Sequence, residues 1–413
     1  MPGGTERLDR AQVVIIGGGV VGCSIAYHLT RLGVTDVLLL ERNELASGAT
    51  ARSAGCVLHV RSDLSTTQMV SRTRAAMTEL EELLGESLDF RQVGCIRAVF
   101  SEEREHEFAG MVRILAEAGI PAESLDPPAA RGICPWLELK ESRRIIYVSA
   151  DGYVDGARLN AAYARAARML GARIRRGVSV SAILSEGGRA FGVRTDQGTV
   201  EADWVVDAAG AWGAEVASWA GWGLPAASTR SHYWITAPDG SGSETCPVVQ
   251  LPDMRTYLRP EVGGLLIGMQ EPRSLTYDPL QITSDMAEMP LINHTDDLDL
   301  LLEQSGALRT VVPTIDSWRF AHHIAGLSTY TPDGKFLIGR VPSLSNFLVA
   351  GGCCGSGVAA SGGFGLSVAE LINGSPMTID IERYRPDRFG DVDPSSQDFR
   401  DRCAAARSSK SRG

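Results

Sequence analysis

The residues nearest the start of the chain that could do chemistry are three glycines and one acid. Gly17, Gly19 and Gly22 form a G-x-G-x-x-G pattern, and Glu41 follows 19 residues after the last of them. Glycine at these positions allows a tight turn, the approach of a pyrophosphate to the backbone, and close packing of a helix. An acid at this spacing can accept hydrogen bonds from a ribose 2′-hydroxyl. The pattern therefore predicts a dinucleotide site.

A β-α-β sequence surrounds these residues and would position them. Residues 13–16 form a β-branched run typical of a buried parallel strand, and residues 23–33 have the apolar spacing of a helix that ends at a glycine. A second apolar run, residues 37–40, ends directly before Glu41. This order is far more specific than the glycines alone, and it points the N-terminus of the helix at the phosphates.

Two further glycine-rich turns lie much later in the chain. The segment VVDAAGAW (205–212) is a strand followed by a glycine turn, and CCGSGVAASGG (353–363) leads from a strand into a helix. A nicotinamide enzyme usually needs one phosphate turn in one contiguous domain. The longer FAD molecule is often bound by segments scattered along the chain. The three turns therefore favour FAD over a nicotinamide.

Composition and charge exclude some classes of partner. The formal net charge of −10 argues against nucleic acid or an anionic membrane as the main partner. No leader peptide and no apolar run of about 18 residues is visible. The eight cysteines show neither a C-x-x-C pair nor metal-ligand spacing. We expect a reduced, cytoplasmic protein without a metal site or a membrane span.

Seven motifs, in family order, resemble the D-amino acid oxidase superfamily of FAD-dependent flavoproteins. The resemblance is strongest to the branch that contains sarcosine and dimethylglycine dehydrogenases, glycine oxidase and monomeric sarcosine oxidase. The motifs run from about residue 13 to 390 and are VVIIGGGVVGCSIAYHL, LLLERNELASGATARSAG, DGYVDGARL, VVDAAGAW, YLRPEVGGLLIG, GLSTYTPDGKFLIG and GSGVAASGGFGLSVAELI. The resemblance implies an α/β fold, in which a Rossmann-like FAD-binding domain with a mostly parallel sheet carries an inserted α+β substrate domain built on an antiparallel sheet.

The same pattern divides the chain into domains. The FAD-binding domain would be discontinuous and formed by residues 1–85, 146–225 and 326–390. The substrate-binding domain would take residues 86–145 and 226–325, where HYWITA, TYLRPE and GLLIGM alternate like antiparallel strands. Polar, aperiodic residues 391–413 are expected to form a flexible tail.

The resemblance also implies which residues contact FAD. Adenosine would be held by Gly17, Gly19, Val20, Gly22, Glu41 and Arg42, and by the backbone of Val180. The pyrophosphate, the ribityl chain and the flavin edge would meet Ser47, Gly48, Thr50, Ala51, Ala209, Gly210 and Trp212. The isoalloxazine would lie against Gly355, Ser356, Gly357 and Val358. Backbone amides and a helix dipole at this last loop would stabilise the negative charge of the reduced flavin.

The chain departs from the covalent flavoproteins of this branch. The dehydrogenases attach FAD through a histidine in a W-H-A-A-G stretch, and the matching residues here, 51–55, read ARSAG. Monomeric sarcosine oxidase uses a cysteine just before its T-P-D motif, where this chain has Gly326. We therefore expect FAD to be bound non-covalently.

The resemblance implies oxidation of a C–N bond. A hydride would pass from the carbon beside a neutral amine to flavin N5, and the imine formed would hydrolyse. A sarcosine-like secondary or N-methylated amine or amino acid is the leading substrate class. The alternatives are a primary amino acid such as glycine or a D-amino acid, and a non-catalytic regulatory subunit. Ser328, at the position of the carboxylate-binding arginine of glycine oxidase, disfavours the first alternative.

The electron acceptor would be O2 or an electron-transfer partner. Monomeric sarcosine oxidase has a lysine beside the flavin that assists reaction with oxygen, and the matching strand here reads LLIG (265–268). A fixed positive charge that would stabilise superoxide is therefore missing at this position. This difference favours a dehydrogenase over an efficient oxidase.

Four side chains are candidates for the catalytic, substrate-facing wall. Tyr257 and Arg259 share one face of a strand, so that an aromatic wall and a carboxylate-binding guanidinium could lie together. His232 lies in a neighbouring strand, and the resemblance brings Arg52 near the flavin. An ion pair between Arg259 and Glu261 is the structural alternative for that guanidinium.

Overall fold

The computed structural model describes residues 10–240 and 242–409. Within these ranges the chain forms a sheet of eight strands, a sheet of nine strands and a small two-stranded sheet. In chain order the strands are β1 (Arg10–Ile16), β2 (Val37–Glu41), β3 (Cys56–Val57), β4 (Cys95–Val99), β5 (Glu123–Leu125), β6 (Arg144–Val148), β7 (Gly152–Tyr153), β8 (Arg173–Arg176), β9 (Val180–Glu186), β10 (Arg189–Thr195), β11 (Gly198–Asp207), β12 (Ala227–Thr236), β13 (Val248–Leu251), β14 (Thr256–Glu261), β15 (Gly264–Met269), β16 (Thr276–Tyr277), β17 (Phe320–Tyr330), β18 (Leu337–Arg340) and β19 (Phe347–Gly351).

Helices cover both sheets. In chain order they are α1 (Val20–Arg31), α2 (Leu64–Leu84), α3 (Glu102–Glu117), α4 (Pro127–Ile133), α5 (Gly156–Met169), α6 (Gly213–Ser218), α7 (His294–Leu308), α8 (Ser361–Asn373) and α9 (Gln397–Ser408). In the described part of the chain, none of them is long and apolar enough to cross a membrane.

The eight-stranded sheet carries the glycine turns. Five of its strands run parallel in the order β19–β11–β1–β2–β8, and β18 pairs antiparallel with β19. Side chains alternate between the two faces of β1. Val13 and Ile15 pack against α1, α2, α5 and α8, while Val14 lies in a second core with the β9–β10–β11 meander and α6. Burial on both faces explains the apolar runs that mark these strands in the sequence.

The nine-stranded sheet forms the other half of the molecule. Its order is β16–β12–β15–β14–β13–β4–β6–β5, with β17 also paired to β12, and all pairs are antiparallel except β13 with β4. One face packs against α7 through Trp234, Ile267, Leu301 and Leu308. The two sheets confirm the α/β fold with a Rossmann-like part and an antiparallel part.

Two of the expected domain limits cut through strands of this second sheet. Residue 146 lies inside β6, and residue 326 lies inside β17, which pairs with β12 along its whole length. Both strands belong entirely to the nine-stranded sheet. The division into domains stays a prediction, and these two limits would have to move by a few residues to keep each strand whole.

The expected flexible tail is wrong for residues 397–408, which form α9. Ser396 caps this helix by accepting a hydrogen bond from the backbone N–H of Phe399. Phe399, Cys403 and Arg407 recur every four residues, lie on one face and are buried. Three buried positions in a polar stretch are too few for sequence periodicity to reveal, because their burial depends on contacts with β12, β16 and β17. Residues 410–413 lie outside the described residues.

Candidate functional site

A cavity of about 310 Å³ is bordered by residues of both large sheets. One end is lined by Glu41, Arg42 and Val180. The other end is lined by side chains of the nine-stranded sheet and by Arg407 of α9. The cavity therefore joins the nucleotide motif of the sequence to the predicted substrate domain.

The turn after β1 leaves no room for side chains. Gly17 has φ of +111°, and a Cβ added there would lie 2.5 Å from the carbonyl oxygen of Ala208. A Cβ on Gly22 would lie 2.0 Å from the carbonyl oxygen of Gly17. The first and third glycines thus have the roles expected of them, which are a sharp turn and close packing of α1.

Glu41 is fixed by backbone donors at the end of β2. Its Oε2 accepts a hydrogen bond from the N–H of Gly18 at 2.7 Å, and its Oε1 accepts one from the N–H of Asn43 at 2.8 Å. The carboxylate borders the cavity. An acid beside a glycine turn is the arrangement that binds a ribose in dinucleotide sites.

Arg42 and Trp212 form a stacked wall of the cavity. The guanidinium carbon of Arg42 lies 4.4 Å from the centroid of the indole, and the indole Nε1 donates to the carbonyl oxygen of Thr283 at 2.8 Å. Trp212 also packs on Gly48, where a Cβ would lie 3.3 Å from the ring. Burial lowers the pKa of Arg42. The stack joins three segments that are distant in sequence.

The loop after Glu41 is tied to the N-terminus of α1. Thr50 Oγ1 accepts a hydrogen bond from the backbone N–H of Val20 at 3.1 Å. Arg52 donates to the carbonyl oxygens of Ser47 and Gly48, and its side chain packs against Gly326. Arg52 borders the cavity, as predicted, and it also holds this loop in shape.

The late glycine loop also reaches the cavity. Gly355, Gly357 and Val358 line it, and the backbone N–H of Gly355 donates to Ser328 Oγ at 3.0 Å. Ser328 therefore serves as an acceptor for this loop. Ser328 itself carries no charge, so it cannot take the place of the carboxylate-binding arginine of glycine oxidase.

All but three of the predicted FAD residues line this one cavity. The three exceptions are Gly22, which packs beneath the turn, Ala51, which is exposed, and Ser356, which is buried inside the late loop. The glycine cradle, the fixed acid of Glu41 and the convergence of distant segments fit a bound dinucleotide. The residues present are therefore suited to FAD.

Asp207 lies directly under the second turn. Its Oδ1 accepts a hydrogen bond from the N–H of Ala209 at 2.9 Å, and no partner for Oδ2 is found within residues 10–240 and 242–409. Burial raises the pKa of Asp207 to about 7. A carboxyl in this environment holds a proton more readily than an exposed one.

Three tyrosines line the cavity, namely Tyr233, Tyr257 and Tyr330. Tyr233 lies on β12 and Tyr257 on β14. The ring of Tyr257 lies over Gly268, where an added Cβ would be 2.1 Å from the ring. Burial raises the pKa of Tyr233 and Tyr257, so both phenols remain protonated at neutral pH. Tyr257 therefore lies at the cavity, and its contact with a substrate stays a prediction.

The prediction that Arg259 faces the substrate is wrong. Its guanidinium forms an ion pair with Glu261, and its Nε donates to the carbonyl oxygen of Ala54. It lies over the ring of Tyr153, and it is absent from the described residues that line the cavity. The ion pair between Arg259 and Glu261, which was the structural alternative for this guanidinium, is the arrangement observed.

The prediction for His232 also needs correction. His232 borders the cavity, but its imidazole is fully buried in a polar cluster under β12. Its Nδ1 lies 3.1 Å from Nε2 of His323, and its Nε2 lies 3.5 Å from a carboxylate oxygen of Glu271. Burial lowers the pKa of His232 to about 2, so the ring is neutral. Its contacts are structural.

The same cluster brings together three groups that could ligate a metal ion. Ligand atoms of His232, Asp297 and His323 lie within 4.8 Å of one another. Arg230 Nη2 lies 2.7 Å from Asp297 Oδ1 and supplies a positive charge there. We therefore assign no metal to this cluster.

Three polar residues line the substrate end of the cavity that the sequence analysis did not predict as substrate-facing. Arg61 and Arg407 both line the cavity and are almost fully buried. Gln250 also lines it and accepts a hydrogen bond from Arg97 at 2.8 Å. A signal for Arg61 was available, because a single arginine follows the apolar run CVLHV (56–60). The sequence indicates Arg407 more weakly, through the four-residue spacing of Phe399, Cys403 and Arg407 that is typical of one face of a helix.

Comparisons with known proteins agree with this geometry. Residues 12–371 match the DAO family, described as FAD dependent oxidoreductase. The chain is 31% identical over 383 residues to 4-methylaminobutanoate oxidase (formaldehyde-forming) of Paenarthrobacter nicotinovorans, covering 91% of this chain and 46% of that protein. It is 28% identical to the mitochondrial pyruvate dehydrogenase phosphatase regulatory subunit of Mus musculus, covering 91% and 43%. The chain thus spans about half the length of these curated relatives.

A solved structure matches over its full length. The fold superposes on L-proline dehydrogenase from P. horikoshii with a TM-score of 0.81 and 26% sequence identity, covering 93% of this chain and 100% of that one. The similarity therefore extends over both sheets.

Proposed function

Because the chain belongs to the DAO family of FAD dependent oxidoreductases, we propose that it oxidises the C–N bond of a secondary or N-methylated amino acid. One observation carries this proposal. A single cavity joins the dinucleotide cradle to a pocket lined by three phenols and by two buried guanidiniums, those of Arg61 and Arg407. The relatives include a 4-methylaminobutanoate oxidase and an L-proline dehydrogenase, and their names support this substrate class.

FAD, when bound, supplies the two-electron redox chemistry. The protein's part is to hold the amine in one orientation and to exclude water. Tyr233 and Tyr257 provide a rigid aromatic wall on the substrate end of the cavity. Orientation of this kind can lower a barrier by about 7–11 kcal/mol. Positioning therefore explains why the reaction needs no catalytic triad.

We propose that Arg61 binds the substrate carboxylate. Its side chain lines the cavity and is 5% exposed. Burial lowers the pKa of Arg61, while the charge of the buried Asp151 opposes this effect. An arginine remains charged under such conditions and can bind a carboxylate through two parallel hydrogen bonds.

The alternative of a primary amino acid has less support. Ser328 accepts a hydrogen bond from Gly355, so the position corresponding to the arginine of glycine oxidase offers no positive charge. The non-catalytic alternative is represented by the phosphatase regulatory subunit among the relatives. The intact cavity and glycine cradle favour a catalytic protein. Anaerobic reduction of the flavin by different amines distinguishes the two alternatives from the proposed function.

The experiment is anaerobic reduction of the FAD-loaded protein. Sarcosine, dimethylglycine, 4-methylaminobutanoate, L-proline and glycine are added separately, and the flavin absorbance near 450 nm is followed. We expect bleaching by one or more of the secondary or N-methylated amines, and little by glycine. Admission of air then distinguishes an oxidase from a dehydrogenase by the rate at which colour returns. A flavin that none of these amines bleaches would contradict the proposed function.

A further inference from the structure

Helix α9 lies outside the region that matches the family, which ends at residue 371. It nevertheless packs on the substrate end of the cavity. Phe399 and Cys403 are buried in a cluster with Ala227, Tyr330 and Cys354. Cys354 directly precedes the late glycine loop, and Tyr330 lines the cavity. The helix therefore contacts both the loop expected to hold the flavin ring and a strand that lines the cavity.

Arg407, near the end of α9, reaches the cavity and makes four side-chain contacts. It is 3% exposed. Its Nη1 donates to Glu271 Oε2 at 2.7 Å and to Ser274 Oγ at 2.8 Å. Its Nε donates to Ser231 Oγ at 3.4 Å, and it is also hydrogen-bonded to the phenol of Tyr330. Ser231 and Tyr330 both line the cavity.

The charges around Arg407 balance. Glu271 also forms an ion pair with Arg230, whose Nη2 lies 2.7 Å from Asp297. Two cations and two anions are therefore buried together, with His232 neutral beside them. Buried ion pairs often add little stability over apolar residues of the same volume. A network of this kind is better explained by the geometry it imposes on the cavity wall.

We propose that Arg407 is a substrate-positioning residue, which holds Ser231 of β12 and Tyr330 of β17 in the arrangement that binds the amine. This inference rests on the proposed function. It assigns part of the substrate site to a C-terminal helix that the family match does not include. In this arrangement Arg61 would bind the carboxylate, and Arg407 would shape the cavity wall through Ser231 and Tyr330.

The test measures the concentration of amine that half-saturates anaerobic flavin reduction, the limiting rate of reduction, and the dissociation constant of FAD. The amine is whichever compound of the panel bleaches wild-type protein fastest. The variants are R407M, R407K and the double variant R407Q/E271Q, which leaves Arg230 paired with Asp297. The matched control is R402A, because Arg402 lies on the same helix with its side chain 58% exposed.

For R407M we expect the half-saturating concentration to rise about tenfold or more, with a limiting rate within about threefold of wild type. FAD affinity should stay within about twofold, because the nucleotide end is untouched. R407K should fall between R407M and wild type, since lysine keeps the charge but loses the planar fork. R402A should behave as wild type. The double variant also removes the excess negative charge that R407M leaves among the buried groups, and should show the same rise.

Half-saturating concentrations within twofold of wild type in both R407M and R407Q/E271Q would overturn the inference and leave the proposed function standing. An equal loss of FAD affinity and amine affinity would also overturn it, since that result describes a residue that only holds the fold together. Wild-type flavin that no amine of the panel bleaches would refute the proposed function, and this inference with it.

Discussion

Asp207 shows how one buried carboxyl can link stability to pH. It lies at the end of β11, 1% exposed, directly before the turn that borders the cavity. Burial raises its pKa to about 7. The folded state therefore binds the proton more tightly than the unfolded state. The contribution of Asp207 to the free energy of unfolding is fully present below the unfolded pKa of about 4. It is lost as the pH rises through the folded pKa.

We predict that D207N removes this pH dependence. The difference in free energy of unfolding between wild type and D207N should change by about 2–3 kcal/mol between pH 5 and pH 8, with wild type losing stability as pH rises. Urea unfolding of the FAD-loaded proteins at several pH values measures it. Parallel pH profiles for the two proteins would show that Asp207 is ionised in the fold throughout this range.

Arg61 gives a second prediction at this scale. R61Q should raise the half-saturating concentration of a carboxylate-bearing amine about tenfold to a hundredfold, because a charge-assisted pair in a buried site is lost. R61K should recover part of the affinity, since lysine binds a carboxylate as a point charge. Anaerobic flavin reduction is the measurement. An amine without a carboxylate is the control, and an equal effect on that amine would argue against carboxylate binding.

At the scale of elements, the β1 turn and α1 depend on contacts that a single methyl group would break. A Cβ at Gly22 would lie 2.0 Å from the Gly17 carbonyl oxygen, which is backbone and cannot move aside without opening the turn. Gly110 in α3 provides a contrast. A Cβ there would have its nearest neighbour, a side-chain atom of Arg113, at 4.0 Å.

We predict opposite results for the same substitution at these two glycines. G22A should abolish FAD retention on purification and destabilise the protein by several kcal/mol, about 2–5, because backbone must shift. G110A should retain FAD and gain about 0.5–1 kcal/mol, because alanine favours a helix where it has space. The ratio of absorbance at 450 to 280 nm and urea unfolding measure both effects. FAD retained at wild-type level in G22A would contradict the geometry described for the turn.

At the scale of the whole molecule, the cofactor site is assembled from segments hundreds of residues apart. The cavity is lined by residues of the first β-α-β unit, of the turn at 209–212 and of the loop at 355–359. Binding of a ligand to such a site stabilises every segment at once. FAD should therefore raise the stability of the entire fold.

We predict that this FAD is non-covalent. Acid precipitation should release intact FAD into the supernatant, because neither a histidine at 51–55 nor a cysteine at Gly326 is available for attachment. Removing FAD should lower the melting temperature, and adding it back at about 100 times its Kd should restore about 2.7 kcal/mol. Flavin that pellets with the protein would disprove non-covalent binding. Bovine serum albumin mixed with free FAD is a suitable control for flavin that is carried down non-specifically in the acid precipitate.

The sequence by itself determined the cofactor-binding half of this protein. Gly17, Gly22 and Glu41 could be recognised because their roles depend on backbone geometry within one local β-α-β unit. The strands β12, β14 and β15 could also be predicted, since short segments rich in aromatic, β-branched and other apolar residues are a local pattern. These predictions required no knowledge of what lies on the other side of the cavity.

Only the tertiary structure decided which polar side chains face the substrate. Arg259 and Tyr257 share a strand face in the sequence, yet the guanidinium bends back to Glu261 and Ala54 while the ring reaches the cavity. Arg407 lies in a stretch whose composition predicts disorder, and it is buried because α9 docks against β12, β16 and β17. The partners of a long side chain come from segments that only folding brings together, so a local sequence pattern cannot predict them.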